Sequence, residues 1–164
     1  EATVPSRGLI GFRSEFLTIT SGTGIMTSSF SHYGAAKAGT VAKRQNGVLV
    51  SMVNGTCLAF ALFTLQDRGR LFAEPQLEVY EGMIVGMNSR SDDMTVNPTK
   101  AKQLTNMRAS GTDEALTLTP AIRFTLEQAL EFIEDDELVE VTPKSVRIRK
   151  RWLTENERKR NRGK

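Results

Sequence analysis

The spacing of hydrophobic positions changes several times along the chain, and each change predicts a different element. From Pro5 to Thr20 the residues Leu9, Phe12, Phe16 and Ile19 recur every three or four positions, which is one face of a helix. Pro5 suits its first turn and Ser21-Gly22 its stop. Gly8 and Gly11 weaken such a helix by roughly 1 kcal/mol each relative to alanine, so packing has to hold it. Ile25 to Tyr33 alternates, with Met26, Ser28, Phe30 and His32 on one side, and reads as a strand; Gly34 to Gly39 has no period and reads as a linker. Two apolar runs, Val48 to Val53 and Thr56 to Phe63, flank Asn54-Gly55, the signature of a hairpin closed by a type I′ turn. Ala61 to Asp67 fits a short helix or a continued strand, ended by Arg68-Gly69. Leu77 to Asn88 contains a further strand, interrupted at Glu81-Gly82.

The pattern then stops. Ser91 to Gly111 (SDDMTVNPTKAKQLTNMRASG) has no sustained apolar period and carries Lys100, Lys102 and Arg108 among amides and hydroxyls. About twenty residues without regular structure inside a compact domain mean a functional loop, a disordered one or a misread element. Beyond it, Ala115 to Phe124 is a strand candidate with Pro120 inside it, hence an edge or a break. Thr125 with Gln128 forms a capping box, and Leu126, Ala129, Leu130 and Ile133 give its helix a buried stripe. Leu138 to Thr142, Pro143-Lys144 and Ser145 to Leu153 read as strand, turn and strand. There Val146, Ile148 and Trp152 face inward, and Arg147, Arg149 and Arg151 share the other face. Thr154 with Glu157 makes a second capping box and opens a final basic helix. Helices and strands mix without regular β-α-β alternation, so the class is α+β.

Composition narrows the options. The 164 residues allow one or two domains, with hydrophobic (39%) and charged (25%) shares ordinary for a soluble globular protein. No apolar run approaches the ~18–20 residues of a membrane span, and no signal-peptide pattern opens the chain. A single cysteine, Cys57 in TCLAFALF, fits a buried thiol in a reducing cytosol. The chain starts at Glu1 without a methionine, which suggests that it is cut from something longer. Charge is segregated: Thr125 to Glu140 holds seven acids and no base, whereas Lys144 to Lys164 holds ten bases against Glu155 and Glu157. A basic end of this kind is either a solvated tail or a contact for a polyanion.

The residues offer little for catalysis. His32 stands alone on its predicted strand, without Cys or His neighbours for a metal site, and reads as structural. Ser21-Gly22-Thr23-Gly24 follows a helix and lacks the Lys-Ser/Thr of a phosphate loop, so it reads as a helix stop. Glu134-Asp135-Asp136-Glu137 does not alternate ligands as a calcium loop does, and reads as a solvated turn.

The segments RGLIGFRSEFLTITSGTG (Arg7–Gly24), RQNGVLVS (Arg44–Ser51), ALFTLQDRGRLF (Ala61–Phe72), VYEGMIVGMNSRSDDMTVN (Val79–Asn97), LTNMRASGTDEA (Leu104–Ala115) and TLEQALEFIEDDELVEVTPKSVRIRKRWLTENERKR (Thr125–Arg160) closely resemble the C-terminal part of the BipA/TypA family. These are bacterial translational GTPases related to elongation factor G. The resemblance covers nearly the whole chain, in order. It implies that residues 1–33 are the closing helix and strand of a ferredoxin-like, elongation-factor-G-like domain V. Residues 34–164 would then be the family's own mostly antiparallel, β-rich C-terminal domain with short helices, carrying an extended loop at 88–111. GTP and Mg are expected only in a missing N-terminal domain, with no cofactor and no catalytic or metal residue here.

The resemblance further implies a cytoplasmic, ribosome-binding role linked to stress adaptation and large-subunit assembly. The loop would reach the acceptor arm of A-site tRNA and the 23S rRNA. Lys100, Lys102 and Arg108 would pair with phosphates, and Asn97, Gln103 and Asn106 with sugars or base edges. Arg147, Arg149, Arg151 and the last helix could add phosphate contacts. Two departures stand out. Where the family often has two adjacent lysines before Leu-Thr-Asn-Met-Arg this chain has Lys102 and Gln103, and the usually acidic region at Gly34-Ala35-Ala36 is neutral. Half a ferredoxin-like domain leaves the face of Leu9, Phe12, Phe16 and Ile19 to pack on the C-terminal domain or on a second copy by domain exchange. The reading from another class is a protein-interaction module using the acidic helix 125–133 or a sheet edge.

Overall fold

The computed structural model describes residues 1–9, 12–36, 44–101 and 117–161. They fall into two compact units, Glu1–Arg44 and Gln45–Lys164. In the first, a 3₁₀ turn (Ser6–Leu9) precedes helix α1 (Phe12–Ile19). The stop lies where the sequence puts it. Ser21 and Gly22 take positive φ angles of 52° and 80°, and the Gly22 N–H bonds the Leu17 carbonyl at 2.7 Å. Leu9 and Phe16 are half-buried, whereas Phe12 and Ile19 are exposed.

The expected strand Ile25–Tyr33 is not formed. A strand exists through its neighbour's hydrogen bonds, and no described residue of this unit supplies a ladder. Ile25, Phe30 and Tyr33 are consequently open to water, with the last two rings 5.0 Å apart. His32 therefore lies on no strand; its Nδ1 is 3.0 Å from the Ser31 hydroxyl.

The second unit is built on a four-stranded sheet ordered β3-β5-β1-β6, from β1 (Val48–Ser51), β3 (Gly69–Leu71), β5 (Ile84–Asn88) and β6 (Met94–Val96). β1 runs antiparallel to β5, with a bulge between Leu49 and Val50, and parallel to β6. The unit also holds the pairs β2 (Gly55–Thr56) with β4 (Glu78–Val79) and β7 (Glu137–Val141) with β8 (Val146–Lys150). Helices α2 (Ala59–Leu65), α3 (Leu126–Phe132) and α4 (Glu155–Asn161) complete it. The mixed α+β class holds for the described residues.

The central sheet is covered on both faces. Leu49, Leu71, Val85 and Val96 pack with Leu62 of α2 and with Cys57; Val48, Val50 and Ile84 pack with Ala129 of α3 and Ile148 of β8. Phe72, Phe124 and Phe132 extend the second cluster, their ring centroids 4.7–5.3 Å apart. All four residues of β1 are thus buried, which is why it reads as a continuous apolar run. Burial pushes the Cys57 thiol up to about 11, as suits an unreactive core cysteine.

Four local expectations are corrected. Asn54-Gly55 closes no hairpin: β1 pairs with β5 and β6, and the predicted second strand is a two-residue bridge to β4 followed by α2. The loop expected to lack regular structure contains β6 at Met94–Val96. Thr117–Phe124, the described part of the Ala115–Phe124 strand, is irregular, with an Ile122 N–H bond to the Leu71 carbonyl at 2.8 Å. In α3 the predicted capping box is present, but the buried side is Ala129, Phe132 and Ile133, while Leu126 and Leu130 are exposed. The expected β7–β8 hairpin is paired from Glu137–Lys150 to Val141–Val146, its second strand stopping at Lys150 rather than Leu153, and the Thr154–Glu157 box opens α4 as read.

Candidate nucleic-acid interface

The basic loop leaves the sheet at the end of β6, and that exit is rigid. Val96 and Pro98 are buried; their carbonyls accept the N–H groups of Met52 and Leu58, each at 3.0 Å. Asn97 Oδ1 accepts both the N–H and the hydroxyl of Thr99 at 2.9 Å, so its oxygen shapes a turn and its amide NH₂ is what it can offer a ligand. Lys100 follows that turn, exposed. Lys102, Gln103, Asn106 and Arg108 lie outside the described residues. On the return side Gln66 holds the chain: its Nε2 donates to the Thr117 carbonyl at 3.2 Å and its Oε1 accepts the Thr119 N–H at 3.1 Å. Both feet of the basic segment are therefore anchored.

Before β6, Asp93 belongs to a constellation that the sequence reading missed. Lys150 is 2% exposed, and its ammonium meets Asp93 at 2.6 Å, Asp136 at 2.9 Å and Glu137 at 3.0 Å. Three donors meet three carboxylates. Asp93 uses its other oxygen to accept the Val48 N–H at 2.9 Å, and Glu137 accepts the Glu134 N–H at 3.1 Å. Burial disfavours the Lys150 charge, but Glu137, Asp93 and Asp136 outweigh it and raise its pKa. This cluster ties β8 and the α3–β7 turn to Asp93, the residue just before β6. It also corrects the solvated-turn reading of Glu134–Glu137, since the Glu137 side chain is fully buried. The signal was present: Lys150 continues the inward row Val146, Ile148.

The arginines of β8 are partly engaged. Arg149 reaches Glu140 at 3.5 Å and donates to the Lys150 carbonyl at 3.2 Å; Arg147 donates to the Ser145 hydroxyl at 3.2 Å. Glu140 also accepts the Tyr80 hydroxyl at 2.7 Å; burial and that bond push the phenol's pKa up. Arg151 does not share the strand face with Arg147 and Arg149. It lies past the end of β8, exposed, its guanidinium carbon 6.0 Å from the Trp152 ring centroid. The half-buried Trp152 is likewise beyond the strand. In α4 the acids Glu155 and Glu157 occupy the first turn and Arg158, Lys159 and Arg160 the last, so part of its charge pattern complements the helix dipole. Among the described residues no cluster of His, Cys, Asp or Glu could hold a metal ion, and no helix is long and apolar enough to cross a membrane.

A family model for the TypA/BipA C-terminal domain matches residues 46–155, and one for the elongation factor G C-terminus matches residues 1–44. The chain belongs to the BipA/TypA family. Its relatives include proteins named large ribosomal subunit assembly factor BipA. That of Escherichia coli (strain K12) is 68% identical over 96% of this chain, that of Salmonella typhimurium 66% over 98%, and that of Haemophilus influenzae 61% over 98%. The chain spans about a quarter (26%) of the length of each of these BipA proteins.

Proposed function

We propose that this BipA/TypA-family chain is the RNA-contacting part of a cytoplasmic, ribosome-binding translational GTPase that serves large-subunit assembly and stress adaptation. Its catalytic chemistry, with GTP and Mg, belongs to a domain other than this one. The chain contributes positioning: the loop after β6 enters the ribosomal A-site region and meets 23S rRNA and the tRNA acceptor arm. Lys100, Lys102 and Arg108 take phosphates; Gln103, Asn106 and the Asn97 amide take sugars or base edges. Arg147, Arg149, Arg151 and α4 add weaker phosphate contacts.

The observation that carries this reading is the loop's construction. A basic, polar segment is held at both feet, at Asn97–Thr99 and at Thr117–Thr119, with Lys100 projecting into solvent. Rigid feet limit the conformational entropy lost when a loop follows irregular RNA. The names of the relatives support the ribosomal setting.

The test is co-sedimentation of the chain with ribosomes across a salt series, beside the Lys100→Ala/Lys102→Ala/Arg108→Ala triple variant. Binding should fall steeply with salt, and the triple change should lower the slope by up to about one per lost phosphate contact. Equal affinity and equal slope for both proteins would remove the loop from the interface.

A further inference from the structure

The backbones of the central sheet and the β7–β8 hairpin pair only briefly and then part. The contact is the Met83–Arg149 bridge, beside which the Lys150 N–H bonds the Gly82 carbonyl at 2.9 Å. Past it opens a cleft of about 810 Å³, whose lining includes Phe72, Ile84, Phe124, Lys144, Val146 and Arg147. That volume lies within the usual span of ligand clefts, roughly 300–1,000 Å³.

The orientation of β8 decides what faces this cleft. In a strand, successive residues turn their backbone groups to opposite edges. The Lys150 N–H points away from β7, towards Gly82. Ile148 and Val146 share its parity, so their backbone edge also turns from β7: that of Ile148 faces Ile84 at the Met83–Arg149 bridge, and that of Val146 lies past it, in the widening gap. Val146 therefore presents an N–H and a carbonyl to the cleft in strand geometry.

The walls add a second preference. The floor is apolar, formed by the Phe72 and Phe124 rings, 4.7 Å apart, and by buried Ile84. The mouth is cationic. Arg123 is neutralised by Glu74 through two bonds of 2.9 Å, but Lys144 stands exposed on the β7–β8 turn and Arg147 follows it.

We infer that this cleft binds an extended protein segment as an added strand on β8, with apolar side chains on the phenylalanine floor and carboxylates at Lys144 and Arg147. Strand addition of this kind draws affinity from main-chain bonds and specificity from alternate side chains. An RNA strand could use the two cations, but it would leave the strand edge without a ladder, and unpaired polar groups are costly once buried.

The probe is a fluorescein-labelled peptide of about six alternating valine and glutamate residues, enough to run along the free half of β8 at ~3.3 Å per residue. It is titrated into the full chain, with Val146 and Ile148 amide shifts and hydrogen exchange followed by NMR. Saturable binding is expected, with slowed exchange at Val146. A peptide with lysine for glutamate, and one N-methylated at alternate residues, should each bind at least tenfold more weakly. Val146→Pro removes a donor aimed only at the cleft and spares the β7 ladder; Lys144→Glu changes charge on an exposed turn. Both should weaken binding tenfold or more. The inference is overturned if the lysine or N-methylated peptide binds equally well. It is also overturned if the valine–glutamate peptide leaves these amides unmoved at millimolar concentration, or if a uridine hexanucleotide shifts them instead.

Discussion

Lys150 shows how a charge survives in this core. Taking an ammonium out of water costs several kcal/mol, and here its three hydrogen-bond donors each find a carboxylate within 3.0 Å. The excess negative charge is itself placed against backbone N–H groups of Val48 and Glu134. Lys150→Met should therefore cost about 3–5 kcal/mol by leaving those carboxylates without their cation, read as a fall in the urea midpoint at neutral pH. The pH dependence has a definite sign. The folded state raises the Lys150 pKa, so its contribution is complete below the unfolded value of about 10.4 and is lost as pH rises through the folded one. The gap between wild type and Lys150→Met should hold constant near neutrality and narrow only in strong alkali. A gap that is absent at pH 7, or that widens on raising the pH, would contradict the arrangement. Period-two reading puts Lys150 in the inward row, yet its partner Asp93 lies in a distant segment. No local pattern shows that pairing, which is why the acids Asp136 and Glu137 look solvated in sequence.

Among the elements, those written by neighbouring residues were legible and those fixed by distant partners were not. The Thr125 box is wholly local: the Thr125 hydroxyl accepts the Gln128 N–H at 3.3 Å and the Gln128 side chain accepts the Thr125 N–H at 3.0 Å. A seven-residue helix is marginal by itself, so α3 relies on this cap and on the packing of Ala129, Phe132 and Ile133. Thr125→Ala should cost about 1 kcal/mol, and Thr125→Ser should recover most of it, in urea unfolding followed by circular dichroism. Equal stability of all three proteins would mean that packing alone holds the helix. Asn54-Gly55 failed as a hairpin signal for a non-local reason. Asn54 Oδ1 accepts the Glu81 N–H at 2.8 Å, bridging to the turn before β5, and Asn54 lacks the positive φ of a type I′ turn. β6 was invisible because three residues are too few for a periodic signal; its place comes from pairing with β1. Ile25–Tyr33 shows the converse, a clear alternation with no partner strand among the described residues of its unit.

For the whole molecule, the division at Arg44 and Gln45 separates two kinds of stabilisation. Both buried hydrophobic clusters are made of residues from Val48 onward, and the loop's two feet and the Lys150 cluster lie in that same unit. The first unit holds α1 and, after it, a segment in no helix or strand with exposed Ile25, Phe30 and Tyr33. The two family models divide the chain at the same place, 1–44 and 46–155. A chain of residues 45–164 should therefore fold alone, with one cooperative urea transition and the slow amide exchange of β1 and β5 preserved. If the basic loop carries the RNA contact, this shorter chain should also keep the salt-dependent co-sedimentation of the longer one. A protein that folds but no longer sediments with ribosomes would move the contact to residues 1–44. One that fails to fold would show that residues 45–164 are not an independent folding unit. Cooperative folding together with a retained salt slope would assign both stability and RNA contact to the single unit built around β1.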